Sequence, residues 1–153
     1  MFKMVVLIAF VLLSAFIGID AAPTKDLIRE KNFNLLKLQG SDRIKVNVTM
    51  KRLLESKDLV FTFYSANKDN TGPDTTKRSY SVAIPADTFD EMDDNNFVSV
   101  EILFTGTDTV NATPDLTGDP QSINNFKLNE VKYLSVKGYF DKVNSLEFLF
   151  NSN

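Results

Sequence analysis

Short runs in which apolar and polar residues alternate recur along most of the chain. The runs with this pattern, or with a similar content of β-branched and aromatic residues, are residues 44–50, 59–64, 80–84, 97–104, 131–136 and 146–150. Successive side chains of a strand point to opposite faces, so such runs predict strands with one buried face. Clusters of Asn, Asp, Gly and Pro separate the runs, as at residues 67–73. The pattern predicts an all-β fold, either an antiparallel sandwich or a barrel.

Two parts of the chain lack this regularity. Residues 23–32 are rich in charge, and we expect a short lead-in there, with room for one helical turn over residues 27–30. Residues 105–122 are rich in Thr, Asp, Gly and Pro. They predict either a long mobile loop or a loop with a weak strand near Thr109.

The first residues have the composition of a secretory signal peptide. Lys3 precedes an apolar run over residues 4–19, and small residues follow it. This run is shorter than the roughly 20 residues that span a bilayer, and no second apolar run approaches that length. We therefore predict a cleaved signal peptide (residues 1–22), a single domain (residues 23–153), and a secreted, extracellular protein without membrane insertion after signal removal.

The composition excludes several classes of function. The chain has 153 residues and a formal charge of −3, and it contains no Cys, no His and no Trp. Without His or Cys, catalysis by a Ser–His or Cys–His pair is excluded. A negative charge does not suit a nucleic-acid partner whose phosphates must be neutralised. Phosphate-binding glycine loops are absent. We therefore expect a protein that is not an enzyme, with no cofactor and no nucleic-acid partner.

Acidic residues cluster at Asp87, Asp90, Glu91, Asp93 and Asp94. Carboxylates in a loop can bind Ca²⁺, but this spacing lacks the central Gly and the terminal Glu of an EF-hand loop. A solvated turn is the favoured interpretation, with calcium binding as the alternative, and no metal site is assigned.

A glycosylation sequon begins at Asn47, which is followed by Val and Thr. In a secreted chain this makes Asn47 a candidate glycosylation site.

The order of the runs resembles a galectin over residues 35–150. Residues 59–66 read L-V-F-T-F-Y-S-A, where galectins carry I-A-F-H-F-N-P-R. Residues 97–103 read F-V-S-V-E-I-L, which is similar to the family's F-E-V-E-I-L strand. Residues 128–138 read L-N-E-V-K-Y-L-S-V-K-G, which is similar to its closing L-x-x-I-x-x-L-x-V-x-G-D segment. The resemblance implies an antiparallel two-sheet jelly-roll sandwich of the galectin and concanavalin type.

The departures from the galectin pattern fall on its sugar-binding residues. The His, Asn and Arg of the family's central strand align with Thr62, Tyr64 and Ala66, and the stacking Trp has no counterpart. The Glu that precedes the retained Arg78 is replaced by Lys77. Losing three polar partners, at roughly 1–3 kcal/mol each, would abolish ordinary β-galactoside affinity. The resemblance thus implies a binding module with altered or lost sugar specificity.

Our first hypothesis is a secreted galectin-like module that binds a glycan or glycoprotein. Its concave face would present the side chains of Thr62, Tyr64, Asn70, Lys77 and Arg78 to the ligand. A second hypothesis is a secreted structural or protein-interaction protein in which the sugar site is vestigial.

A third hypothesis is a small lipid-binding β-barrel, although the G-x-W motif of lipocalins is absent. Tyr64, Tyr80, Tyr133 and Tyr139 could line a sugar or lipid site, although each taken singly fits a core or edge position of a sheet. A hydrolase is the least favoured, because no strand carries the paired carboxylates that a glycosidase needs.

Overall fold

The structure is a computed structural model that describes residues 28–51, 57–90, 92, 96–116 and 119–151. Within these ranges the chain forms nine strands and two short 3₁₀ turns. The strands are β1 (Arg29–Asn34), β2 (Arg43–Met50), β3 (Leu59–Tyr64), β4 (Tyr80–Ile84), β5 (Phe97–Thr105), β6 (Thr109–Pro114), β7 (Gln121–Asn124), β8 (Tyr133–Gly138) and β9 (Phe140–Leu149). The 3₁₀ turns are Ala86–Phe89 and Leu128–Glu130.

The strands pair in two antiparallel sheets. Sheet A has four strands in the order β1-β8-β3-β4, and sheet B has five strands in the order β7-β6-β5-β2-β9. Neighbours in each sheet run antiparallel. The predicted all-β jelly-roll sandwich of two antiparallel sheets is therefore confirmed.

An apolar core fills the space between the sheets. Phe61 and Phe63 of β3 and Ile102 and Phe104 of β5 are fully buried. Phe126, from the segment between β7 and β8, enters the same core, and its ring centroid lies 5.1 Å from that of Phe63 and 5.8 Å from that of Phe104. One aromatic side chain thus contacts both sheets and holds the chain ahead of β8 in place.

The described end of the charged lead-in belongs to strand β1, so the expected helical turn is wrong in its described part. β1 pairs with β8 over six residues, from Arg29 opposite Gly138 to Asn34 opposite Tyr133. Only Phe33 of β1 packs against the core, and its other residues are exposed. The backbone ladder with β8 holds this edge strand, which therefore needs no apolar alternation of its own.

The irregular stretch after β5 forms two strands, β6 and β7, rather than a long loop. Val110 and Ala112 of β6 are fully buried, so the weak strand expected near Thr109 is present and longer than predicted. The last two predicted strands are also displaced, because the structure has β8 at Tyr133–Gly138 and β9 at Phe140–Leu149. β9 is an edge strand whose polar residues face solvent, and this hides its first half from a search for apolar alternation.

The lipid-binding barrel is wrong, because the described strands form two sheets packed face to face around a filled core. The predicted signal peptide, residues 1–22, lies outside the described residues, and its cleavage stays a prediction. Across the part of the chain that the structure describes, no helix has the length and apolar character needed to cross a membrane.

Candidate ligand-binding face

The outer face of sheet A carries a row of small polar side chains, which we call the polar row. It crosses all four strands, because Asn32 pairs with Ser135, Ser135 with Thr62, and Thr62 with Ser81. These residues alternate with buried residues such as Phe61 and therefore point away from the core. The row offers several hydroxyls and one amide on a rigid scaffold.

Hydrogen bonds within the sheet already engage part of this row. The hydroxyls of Thr62 and Ser81 share a hydrogen bond of 2.9 Å. The Ser135 hydroxyl donates to Oε1 of Glu30 at 2.8 Å. Thr62 is 9% exposed and Ser135 only 1%, whereas Ser81 and Asn32 are exposed. The two ends of the polar row are therefore open to a ligand, and its middle is shielded.

Two tyrosines lie beside the polar row, towards one end of the strands. Tyr64 of β3 pairs with Tyr133 of β8 on the same outer face. The Tyr133 hydroxyl donates to the backbone carbonyl of Asn70 at 3.2 Å, which ties the β3–β4 loop to this face. The half-buried Tyr64 adds an aromatic side chain with a polar tip. Asn70 meets the face through its backbone, while the residue itself is exposed and has a φ of 56°.

A groove of about 540 Å³ lies towards the other end of the strands. We call it the Tyr139 groove; it is lined by Ile28, Lys57, Asp58, Val60, Ala86, Lys137, Gly138 and Tyr139. Val60 and Lys137 pair across β3 and β8 and share the outer face with Thr62. The groove joins an aromatic ring and apolar side chains to two lysines and a carboxylate, a mixture typical of sites for polar ligands.

Lys77 and Arg78 lie apart from the polar row. Both line a cavity with Tyr80, whose ring points into the core and packs at 4.9 Å from Phe126. The Arg78 guanidinium sits over the Tyr80 ring at 5.0 Å. Of the residues that the sequence predicted for one concave face, the structure brings Thr62 and Tyr64 together and places Lys77 and Arg78 in a separate cavity.

Sequence reasoning missed several residues of the outer face. Ser81 and Ser135 were available from the alternation of their own strands, since each lies between buried residues. Asn32 and Glu30 were hidden because β1 has no apolar pattern. Tyr139 was considered only as a scattered aromatic, and the tertiary structure is what assigns it to a groove.

The acidic stretch is only partly described. Asp87 lies in the 3₁₀ turn Ala86–Phe89, and Asp90 follows its end, where the Asp90 amide donates to the Asp87 carbonyl at 3.2 Å. Glu91, Asp93 and Asp94 lie outside the described residues. Among the residues that are described, no group of three or more acidic, His or Cys residues is placed to hold a metal ion.

The candidate glycosylation site lies within a strand. Asn47 is on the outer face of sheet B, is 8% exposed, and alternates with the fully buried Val46 and Val48. Its Nδ2 donates to Ser145 Oγ at 2.7 Å and to Glu147 Oε1 at 2.9 Å. A glycan replaces one of the two hydrogens of Nδ2, so it would remove one of these bonds. Glycosylation of Asn47 stays a prediction.

Comparisons with known proteins bear on the fold. No family model and no curated protein sequence matches the chain. Among solved structures, the chain is similar to the Caenorhabditis elegans galectin LEC-6, with a TM-score of 0.50 and 9% sequence identity, covering 78% of this chain and 90% of LEC-6.

Two further structures are similar. CG-16, a homodimeric agglutinin from chicken liver, has a TM-score of 0.48 and 16% identity, covering 78% of this chain and 99% of CG-16. Sheep galectin-11, in complex with glycerol, has a TM-score of 0.46 and 10% identity, covering 79% of this chain and 96% of that galectin. The two-sheet topology and the likeness to LEC-6 identify the fold of this chain as the galectin-like jelly-roll sandwich that the sequence resemblance predicted.

Proposed function

We propose that this protein is a secreted, non-enzymatic binding module that recognises a glycan or glycoprotein with a specificity unlike that of ordinary galectins. The single observation that carries the proposal is the outer face of sheet A, where the polar row lies between Tyr64 and the Tyr139 groove. Secretion is inferred from the signal peptide of residues 1–22, which lies outside the described residues.

The chemistry of this face suits a ligand rich in hydroxyl groups. A sugar presents hydroxyls that both donate and accept hydrogen bonds, together with patches of C–H that pack on aromatic rings. The open ends of the polar row, Ser81 and Asn32, supply a hydroxyl and an amide. Tyr64 and Tyr139 supply aromatic surface on either side, and Lys137 adds a cation in the groove.

The side chains at the aligned galectin positions support a changed specificity. The Thr62 hydroxyl is engaged with Ser81, so it offers less to a ligand than a free donor would. Ala66 has no polar side chain and forms an isolated bridge with Pro73. Ligand contacts would therefore come from the ends of the face, rather than from its centre.

A glycan array with three variants tests this proposal. Tyr64→Ala removes the aromatic side chain, and Thr62→Val removes the central hydroxyl while keeping the shape of the side chain. Thr105→Val is the matched control, because Thr105 is exposed on sheet B and its hydroxyl accepts a 3.3 Å bond from Asn111. We expect binding to at least one glycan, weakened about tenfold by Tyr64→Ala, weakened less by Thr62→Val, and unchanged by Thr105→Val.

The second candidate is a structural or protein-interaction protein with a vestigial sugar site. The observation in its favour is that the hydroxyls of Thr62 and Ser135 are nearly covered and already bonded to Ser81 and Glu30. Absence of binding to any glycan at high protein concentration would refute the first candidate and leave this one. Equal binding by wild type and Tyr64→Ala would show that the glycan lies elsewhere on the molecule.

A further inference from the structure

The connection between β3 and β4 is a long loop that leaves sheet A. The ladder between the two strands ends at the pair Phe63 and Tyr80, and an isolated bridge between Ala66 and Pro73 closes the tip of the connection. Residues 74–79 lie between these two pairings and are outside the ladder. We call residues 74–79 the β4 lead-in loop; it holds Lys77 and Arg78, which line a cavity separate from the outer face of sheet A.

Local hydrogen bonds hold the β4 lead-in loop in one conformation. Asp74 Oδ1 accepts hydrogen bonds from the Thr76 amide at 3.0 Å and from the Thr76 hydroxyl at 2.6 Å. Asp74 Oδ2 lies 3.3 Å from the Lys77 ammonium. The residue that follows, Arg78, is thus presented by an ordered turn.

The cavity beside the β4 lead-in loop has a volume of about 450 Å³ and is lined by Ser65, Lys77, Arg78, Tyr80, Glu130 and Val131. The hydroxyls of Ser65 and Tyr80 are both buried and have no hydrogen-bond partner among the described residues. Tyr80 is itself only 5% exposed. Buried hydroxyls in folded proteins nearly always have a partner, so these two hydroxyls leave hydrogen-bonding capacity for a water or a polar ligand beside the cavity.

The charges around the cavity leave one cation in excess. Lys77 pairs with Asp74 at 3.3 Å, and Glu130 pairs with Lys127 at 3.0 Å, so these charges compensate each other. Arg78 sits over the Tyr80 ring, and no carboxylate in the described part of the chain pairs with it. A guanidinium has a planar fork of donors that matches the two oxygens of a carboxylate, sulfate or phosphate group.

We propose that this cavity binds an oxyanion group, namely a sulfate, phosphate or carboxylate, through the Arg78 guanidinium and the hydroxyls of Tyr80 and Ser65. The site is separate from the outer face of sheet A and does not depend on glycan binding there. The Tyr80 ring lies 5.0 Å from the Arg78 guanidinium on one side, and Arg78, Tyr80 and Ser65 all line the cavity.

Nuclear magnetic resonance on the ¹⁵N-labelled protein tests the site. Sodium sulfate is titrated against sodium chloride at equal ionic strength, and we expect saturable shifts at the amides of Arg78, Tyr80 and Val131 with sulfate only. Arg78→Gln should weaken binding at least tenfold, and Tyr80→Phe, which keeps the buried ring, about threefold. Arg43→Gln is the matched control, because it removes the same charge from the exposed face of sheet B and should change nothing.

Two further probes distinguish the source of the anion. Galactose 6-sulfate binding at least tenfold more tightly than sulfate, with galactose as the uncharged control, would assign the site to an acidic group carried by a sugar. Equal dissociation constants for galactose 6-sulfate and sulfate would assign the site to the free ion. Equal amide shifts with sulfate and with chloride, or sulfate-dependent shifts that persist in Arg78→Gln, would overturn the proposal. Tyr64→Ala should leave sulfate binding unchanged, so this site and the outer face can fail separately.

Discussion

Removing the Phe126 side chain should lower the free energy of unfolding of this fold by several kcal/mol. It is 1% exposed, and its ring centroid lies 4.9 Å from that of Tyr80, 5.1 Å from that of Phe63 and 5.8 Å from that of Phe104. Its amide also donates to the Asp108 carbonyl at 2.7 Å, so the backbone cannot easily collapse into a cavity. Truncation of a buried Phe to Ala costs about 3–5 kcal/mol. A domain is stable by about 5–15 kcal/mol, so Phe126→Ala should remove a large share of the stability.

Urea unfolding followed by far-ultraviolet circular dichroism measures this loss, since the chain has no Trp to report by fluorescence. We expect a lower midpoint with an unchanged slope, which indicates lost stability rather than a changed unfolded state. Phe126→Leu should lose less stability than Phe126→Ala, because it leaves a smaller cavity. Phe97→Ala, at a Phe that is 41% exposed, should change stability by less than about 1 kcal/mol. A loss below about 1 kcal/mol for Phe126→Ala would refute the argument that this ring joins the two sheets.

Three further predictions follow from local geometry. Gly40→Ala should lower the free energy of unfolding by about 1–3 kcal/mol in thermal denaturation, because a Cβ there would lie 2.7 Å from the Gly106 carbonyl oxygen. The sequon predicts a glycan on Asn47, whereas its buried side chain predicts an unmodified residue, and the mass of the protein expressed in eukaryotic cells decides between them. Asp74 should titrate below its ordinary value of 3.8, because hydrogen bonds from Thr76, and then the charge of Lys77, lower its pKa. The ionised Asp74 carboxylate therefore stabilises the turn with Thr76 and Lys77 at neutral pH, and this stabilisation is lost as the pH falls below 3.8.

Each of these predictions has a control. Gly72→Ala should be nearly neutral, because the nearest atom to its Cβ would be 3.8 Å away. Equal stability of the Gly40 and Gly72 variants would contradict the steric argument. Thr76→Val should bring the pKa of Asp74 back towards 3.8, and an unchanged titration by nuclear magnetic resonance would show that the Thr76 hydroxyl is not the cause.

Strands β3 and β4 could be predicted from the sequence because each has one buried and one open face. The structure has β3 at Leu59–Tyr64 and β4 at Tyr80–Ile84, which are the boundaries that alternation predicts. β1 could not be predicted in this way, because an edge strand made of charged residues is held by its ladder with β8. Its contribution to the candidate site, Asn32, was missing from the sequence-based list for the same reason.

The sequence by itself determined the all-β class, the galectin-like order of strands and the absence of catalytic His and Cys. Period-two alternation also put Thr62 and Tyr64 on one face, because this geometry is local to the strand. Only the tertiary structure decided that the Arg78 guanidinium lies over the Tyr80 ring, because the β3–β4 ladder ends at Tyr80 and the residues before it form a loop. Spacing along the chain does not report where a strand ends and a loop begins, because pairing with a distant strand decides it.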